Sequence, residues 1–152
     1  MYLPIDIGGT KTLLGVFTNS RKLSESYKLP TNHNYDNFKA DVGFAVHNNL
    51  KHHKFSAACV AIPGRIDRDK GIAEAFGNLS WTNLPIRKDL QAILKMPVLL
   101  ENDAKLAGLS EAILVRDTYK KVLYVTISTG IGGGVIINGV IEPSLLDSEP
   151  GQ

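Results

Sequence analysis

Short apolar, β-branched runs mark the two ends of this chain. They occupy residues 2–7 and 13–17, then residues 122–127 and 135–137, and a glycine-centred segment separates the members of each pair. Each pair therefore reads as strand, tight turn, strand. Residues 25–29 supply a third strand before Pro30-Thr31-Asn32 turns the chain. Phe38, Val42, Ala45, Val46 and Leu50 then recur at helical spacing behind the capping candidates Asn34 and Asp36, which predicts a helix over about residues 35–51. A continuous apolar strand at residues 57–62 suits the buried middle of a sheet and ends at Pro63-Gly64.

Residues 65–85 hold Gly71, Gly77, Asn78 and Trp81 and read as a loop-rich excursion with short extended pieces at most. Pro85, placed at a first helical turn after Asn83, opens a second helix with the apolar face Ile86, Leu90, Ile93 and Leu94. Residues 98–100 form another buried strand, and a third helix follows Glu101-Asn102-Asp103 with Ala104, Ala107, Ala112 and Ile113 as its apolar stripe. Near the C-terminus, Asn138-Gly139 is a hairpin-closing turn. Strand and helix alternate after an initial hairpin, so the expected class is α/β with a mixed sheet and flanking helices. Arg116-Asp117-Thr118-Tyr119-Lys120-Lys121 is the strongest break, which puts the expected boundary between a first lobe at 1–117 and a second segment at 118–152. A lone hairpin cannot bury its own faces, so what packs on the second segment is expected to be missing from this chain.

Composition narrows the function classes. Of 152 residues, 43% are hydrophobic and 21% charged, as in globular domains that bury a core. A net charge of +2 with scattered basic residues argues against nucleic-acid and membrane partners. The densest basic run, Lys51-His52-His53-Lys54, reads as the polar end of a helix, because no cysteine or carboxylate accompanies it at metal-ligand spacing. Cys59, the single cysteine, reads as a small core residue in a reducing compartment. No signal-like segment or long apolar span stands out, and the cytoplasm is the expected location.

Two glycine segments carry the candidate chemistry: Asp6-Ile7-Gly8-Gly9-Thr10-Lys11 and Ser128-Thr129-Gly130-Ile131-Gly132-Gly133-Gly134. Successive N–H groups in such a turn form a concavity for anions, and glycine lets a ligand come close. A dinucleotide fingerprint needs a helix at its last glycine, whereas β-branched residues follow here; a Walker A loop needs Gly-Lys-Ser/Thr, which is absent from both turns. Either turn alone also suits an ordinary hairpin. The pair, with Asp6 at the strand end of the first, points to a polyphosphate. Asn102-Asp103 fits two roles at this point, a helix cap or a catalytic carboxylate.

Five ordered stretches carry a family resemblance: Asp6-Ile7-Gly8-Gly9-Thr10-Lys11-Thr12, Ala61-Ile62-Pro63-Gly64-Arg65-Ile66-Asp67, Asn78-Leu79-Ser80-Trp81, Glu101-Asn102-Asp103-Ala104, and the second glycine segment. Together they resemble the first half of the ROK family of sugar kinases, in the actin/hexokinase-like superfamily. The resemblance implies a ribonuclease H-like α/β lobe followed by the incomplete start of a second similar lobe. It implies a sugar at the hinge and ATP with Mg²⁺ held by the two glycine turns. Asp103 stands where the family's catalytic aspartate stands, and a carboxylate in the first turn of a helix is favoured in its ionised form. Gly8, Gly9, Thr10 and Lys11 would approach the γ-phosphate, and Thr129 and Gly130 the β- and γ-phosphates. Asp6 would face Mg²⁺ through water. Asn102 and Glu149 would bind sugar hydroxyls beside Asp103. Asn78 and Trp81 read as scaffold of the sugar-side loop.

One motif departs from the family. The Gly-Glu-x-Gly-His sugar motif reads Ser148-Glu149-Pro150-Gly151-Gln152 here, and with glutamine for histidine and no cysteines after it, no zinc site is expected. The resemblance implies phosphorylation of a hexose hydroxyl, with glucose favoured, and a homodimer in many family members. A chain holding only the beginning of the second lobe is expected to have little kinase activity alone, as a piece of a longer protein or of an assembly with a partner chain. The other reading is a sugar-binding or transcriptional-regulator portion without catalysis. Family repressors place a helix-turn-helix ahead of the first glycine turn, where Tyr2 already belongs to a strand, so the kinase reading is preferred.

Overall fold

A computed structural model describes residues 1–77, 79–127 and 131–146. The chain divides into two compact units, Met1–Glu101 and Asn102–Gln152.

The first unit opens with β1 (Tyr2–Ile7), β2 (Lys11–Phe17) and β3 (Leu23–Pro30), then α1 (Tyr35–Phe44), which runs into a π-helical turn at Ala45–Asn49. Next come β4 (Ala57–Ile62), β5 (Arg65–Asp67), β6 (Ile72–Ala75), β7 (Thr82–Leu84), α2 (Ile86–Leu94) and β8 (Val98–Asn102). Five strands make one sheet in the order β3-β2-β1-β4-β8. β1 is antiparallel to β2 and parallel to β4, so the sheet is mixed as the sequence pattern predicts.

Strand alternation decides which face is buried. Leu3, Ile5 and Ile7 of β1, Leu14 and Val16 of β2, and Ala58, Val60 and Ile62 of β4 point to one side and are almost wholly buried. Phe38 and Val42 of α1 join that core with Leu90 and Leu94 of α2. The alternate positions form the opposite face, where Leu13 and Leu99 remain exposed and Cys59 is half-buried beside Pro4 in register. Cys59 is thus at the edge of the expected core; burial pushes its thiol pKa up, and the charge of Glu101 adds to the shift.

Where a loop-rich excursion is expected, β5, β6 and β7 form a three-stranded sheet of very short strands. Trp81 ties it to the core: its ring meets Phe38, Phe76 and Tyr35 at centroid distances of 4.8, 5.0 and 5.2 Å, and its Nε1–H donates to the His33 carbonyl at 2.7 Å. That is the scaffold role the sequence suggests for Trp81. His53 does more than end a helix, since its Nε2 lies 2.8 Å from Glu25 Oε2 on β3.

The second unit contains α3 (Asp103–Leu114), β9 (Lys121–Ile127), β10 (Ile131–Ile137) and β11 (Val140–Ile141), with a 3-10 turn at Pro143–Leu145. Its sheet order is β11-β10-β9. Asn138 and Gly139 both have positive φ, 52° and 77°, as a type I′ hairpin turn requires. The second glycine segment differs from expectation. β10 begins at Ile131, and Gly132, Gly133 and Gly134 pair with Thr126, Val125 and Tyr124 in the ladder rather than forming the turn.

The reason is the approach of α3. A Cβ on Gly132 would stand 2.9 Å from the Cβ of Ala104, and one on Gly134 would rest 3.4 Å from the Cα and Cγ of Lys105. From the helix side, a Cβ on Gly108 would meet Tyr124 Cβ at 2.8 Å and Ile136 Cδ1 at 3.0 Å. Glycine on both elements sets the helix directly on the strands, so one face of the hairpin is covered by α3 of this chain, where the sequence reading expects the cover to be missing. On the other face Leu123, Val125 and Ile127 are 69%, 49% and 78% exposed.

Helix propensity and packing make opposite predictions for Gly108→Ala. Propensity alone favours alanine by roughly 1 kcal/mol, whereas forcing a methyl into a filled site costs about 1–3 kcal/mol. With Tyr124 Cβ unable to swing aside, packing wins: thermal or denaturant unfolding is expected to show net destabilisation, and a stabilised variant would contradict this close approach.

Candidate functional site

In the first unit the candidate residues meet at one end of the β1–β2 hairpin. Asp6, exposed on the face opposite Ile5 and Ile7, is in register with Leu13 on β2 and Ala61 on β4. The chain then turns through Gly8, Gly9 and Thr10, and the Gly8 N–H donates to the Lys11 carbonyl at 2.9 Å. A Cβ on Gly8 would lie 3.0 Å from that carbonyl oxygen, which explains glycine there. Thr10 and Lys11 are exposed, while Gly8 and Gly9 are half-buried.

Two residues without a role in the sequence reading hold this turn. Thr31 donates its hydroxyl to the Gly8 carbonyl at 2.7 Å and its N–H to the Thr10 carbonyl at 3.1 Å. Thr12 Oγ1 lies 2.8 Å from Thr31 Oγ1, both side chains being buried. The signal was present: Thr12 alternates with Leu14 and Val16 on the inward face, and a buried hydroxyl needs a partner. Among the described residues, no acceptor takes the N–H of Gly9 or Thr10. Two donors beside an exposed carboxylate fit a polyphosphate accompanied by a cation that keeps most of its water. No group of three or more His, Cys, Asp or Glu side chains suited to a metal occurs among the described residues.

At the start of the second unit, Asn102 and Asp103 divide two tasks. Asn102 is the N-cap of α3: its backbone is extended and its side-chain oxygen accepts the Lys105 N–H at 3.0 Å. It is 2% exposed. Asp103 is the first helical residue; one carboxylate oxygen accepts the Ala104 N–H at 2.7 Å, and the side chain is exposed at the positive end of the helix dipole. The cap role thus falls on Asn102 and leaves the carboxylate outward. Thr129, Gly130 and Glu149 lie outside the described residues, as does Asn78.

Glu101, one residue before the cap, is gripped by Arg68. The guanidinium donates through Nε to Oε2 at 3.1 Å and through a terminal nitrogen to Oε1, a two-pronged pair with both side chains mostly buried. The Arg68 carbonyl accepts from Arg87 of α2. Nothing in the spacing of Arg68 and Glu101 marks them as a pair.

The ROK family model matches residues 2–142. The chain is 30% identical to a glucokinase of Halalkalibacterium halodurans over 154 aligned residues, covering 92% of this chain and 45% of that protein. It is 36% identical to an N-acetyl-D-glucosamine kinase of Salmonella arizonae, covering 91% of this chain and 47% of the relative. Among solved structures, a ROK family glucokinase from Streptomyces griseus in complex with glucose and AMPPNP superposes with a TM-score of 0.81 at 25% identity, over 93% of this chain and 46% of that one. The architecture is therefore the mixed α/β fold of the actin/hexokinase-like sugar kinases. The chain belongs to the ROK family. It spans about half the length of the curated relatives it matches. No helix among the described residues is long and apolar enough to cross a membrane.

The Arg68–Glu101 geometry can be tested by a double-mutant cycle. Arg68→Met and Glu101→Gln are each expected to destabilise the protein, and the pair together less than the sum, with a coupling of about 0.5–3 kcal/mol by denaturant unfolding. Additive effects would show that the two side chains do not depend on each other.

Proposed function

We propose that this chain carries the catalytic aspartate and one phosphate-binding turn of an ATP-dependent hexose kinase. The exposed Asp103 carboxylate, standing directly after a capped strand end, is the observation that carries the reading. ATP supplies the γ-phosphoryl group, and Mg²⁺ offsets the charge that gathers on it. Asp103 accepts the proton of the sugar hydroxyl as its oxygen bonds to phosphorus and ADP departs. Asn102 and Glu149 orient the sugar. Gly8, Gly9, Thr10 and Lys11, together with Thr129 and Gly130 of the second glycine segment, hold the phosphates, and Asp6 binds the hydrated cation. Glucose is the favoured substrate and N-acetylglucosamine the first competitor to test, since relatives acting on each cover nearly all of this chain.

The test is hexose-dependent ADP release by the protein as its gene encodes it, with Asp103→Asn alongside. The substitution is expected to lower kcat by roughly 10²–10⁴-fold, the usual contribution of a general base. Sugar affinity by calorimetry should change little. An Asp103→Asn protein that turns over normally, or a parent that binds hexose without phosphorylating it, would overturn the kinase reading.

A further inference from the structure

Thr31 stands just past β3, 23 residues from the turn it serves, and makes three bonds there. Its own proton goes to the Gly8 carbonyl, which can only accept, so the 2.8 Å contact with Thr12 must be a bond donated by Thr12 to Thr31. The result is a buried relay, Thr12 to Thr31 to Gly8, with the Thr31 N–H on the Thr10 carbonyl as a second hold. Two of the turn's three carbonyls, those of Gly8 and Thr10, are thereby occupied. The N–H groups of Gly9 and Thr10, between and beside them, have no acceptor among the described residues.

We propose that Thr31 is a positioning residue for polyphosphate binding: through the carbonyls of Gly8 and Thr10 it fixes the turn in the conformation that offers the Gly9 and Thr10 N–H groups to phosphate oxygens. This rests on the reading of that turn as a phosphate cradle. Thr31 itself need not touch the nucleotide. The relay also makes Thr12 a support for Thr31 and not an independent contributor.

Four variants separate the roles: Thr31→Val removes the hydroxyl at constant shape, Thr31→Ser keeps it, Thr12→Val removes only the supporting donor, and Thr12→Val with Thr31→Val removes both buried hydroxyls. Calorimetry with ATP and Mg²⁺, steady-state kinetics and amide exchange are read on each. Losing one net hydrogen bond predicts ATP binding and KM for ATP weakened roughly tenfold in Thr31→Val and in the double variant, with Thr31→Ser within about twofold of the parent. KM for the hexose should stay constant, and exchange at the Gly8 and Thr31 amides, which are bonded to the Lys11 and Thr10 carbonyls, should quicken. Thr12→Val should bind ATP nearly as the parent does, because the Gly8 bond survives. A Thr31→Val protein that is less stable yet binds ATP and exchanges like the parent would reduce Thr31 to scaffold and overturn the proposal. A parent that binds no ATP defeats the nucleotide reading itself; exchange at the Gly8 and Thr31 amides then decides separately whether the Thr31 hydroxyl fixes the turn, unchanged rates counting against it.

Discussion

Backbone groups that lose their ladder partners where a strand stops must be satisfied by something, and each functional feature of this chain is one answer to that requirement. At Asn138-Gly139 two left-handed residues close the hairpin and the ladder resumes at once between Ile137 and Val140. At Gly8-Gly9-Thr10 the carbonyls of Gly8 and Thr10 are taken by Thr31, while the N–H groups of Gly9 and Thr10 have no acceptor among the described residues. At the end of β8 the Asn102 side chain takes the Lys105 N–H, and the following carboxylate is left at the surface. The three ends look alike as strings of small polar residues. They differ in what remains: backbone N–H groups without an acceptor among the described residues at the second, and an exposed carboxylate at the third.

The same distinction separates the two glycine segments. In the first, Gly8 is required by the carbonyl of Lys11 within the turn itself. In the second, Gly132 and Gly134 are ladder residues whose missing side chains admit α3, and Gly108 answers them from the helix. A run of glycines is ambiguous in sequence because both a ligand and a neighbouring backbone need the same absence of Cβ. β-branched residues after the run said strand; they did not say how early the strand begins.

Much of the architecture was legible because it is written locally. The apolar runs at residues 2–7 and 57–62, helical spacing through Phe38 and Val42, and the Asn-Gly turn each depend on a few neighbouring positions, and all are found where the pattern puts them. The contacts that organise the candidate site span longer distances: Thr31 to Gly8 crosses 23 residues and Arg68 to Glu101 crosses 33. No periodicity encodes such pairs. The small sheet at 65–84 escaped for a related reason, since strands of three or four residues show too little alternation to be told from loop, and a distant aromatic cluster around Trp81 holds them. Asn102 and Asp103 fell between the two cases. Their types announced a helix start, but which of them caps and which is free of that duty is settled by geometry.

Arg68 and Glu101 show why a contact of modest stability can still matter. A mostly buried ion pair sacrifices much of its Coulombic gain to desolvation, so its presence is weak evidence of stabilisation. Its two parallel hydrogen bonds, however, fix direction as well as distance, which a lysine ammonium would not do. Glu101 belongs to β8, one position ahead of the cap. The charge stays in place beside Cys59, whose thiol it helps to keep protonated, and the strand end keeps its orientation. Directional restraint on the Glu101 side chain, supplied from a loop 33 residues earlier in the chain, is what the pair contributes to β8.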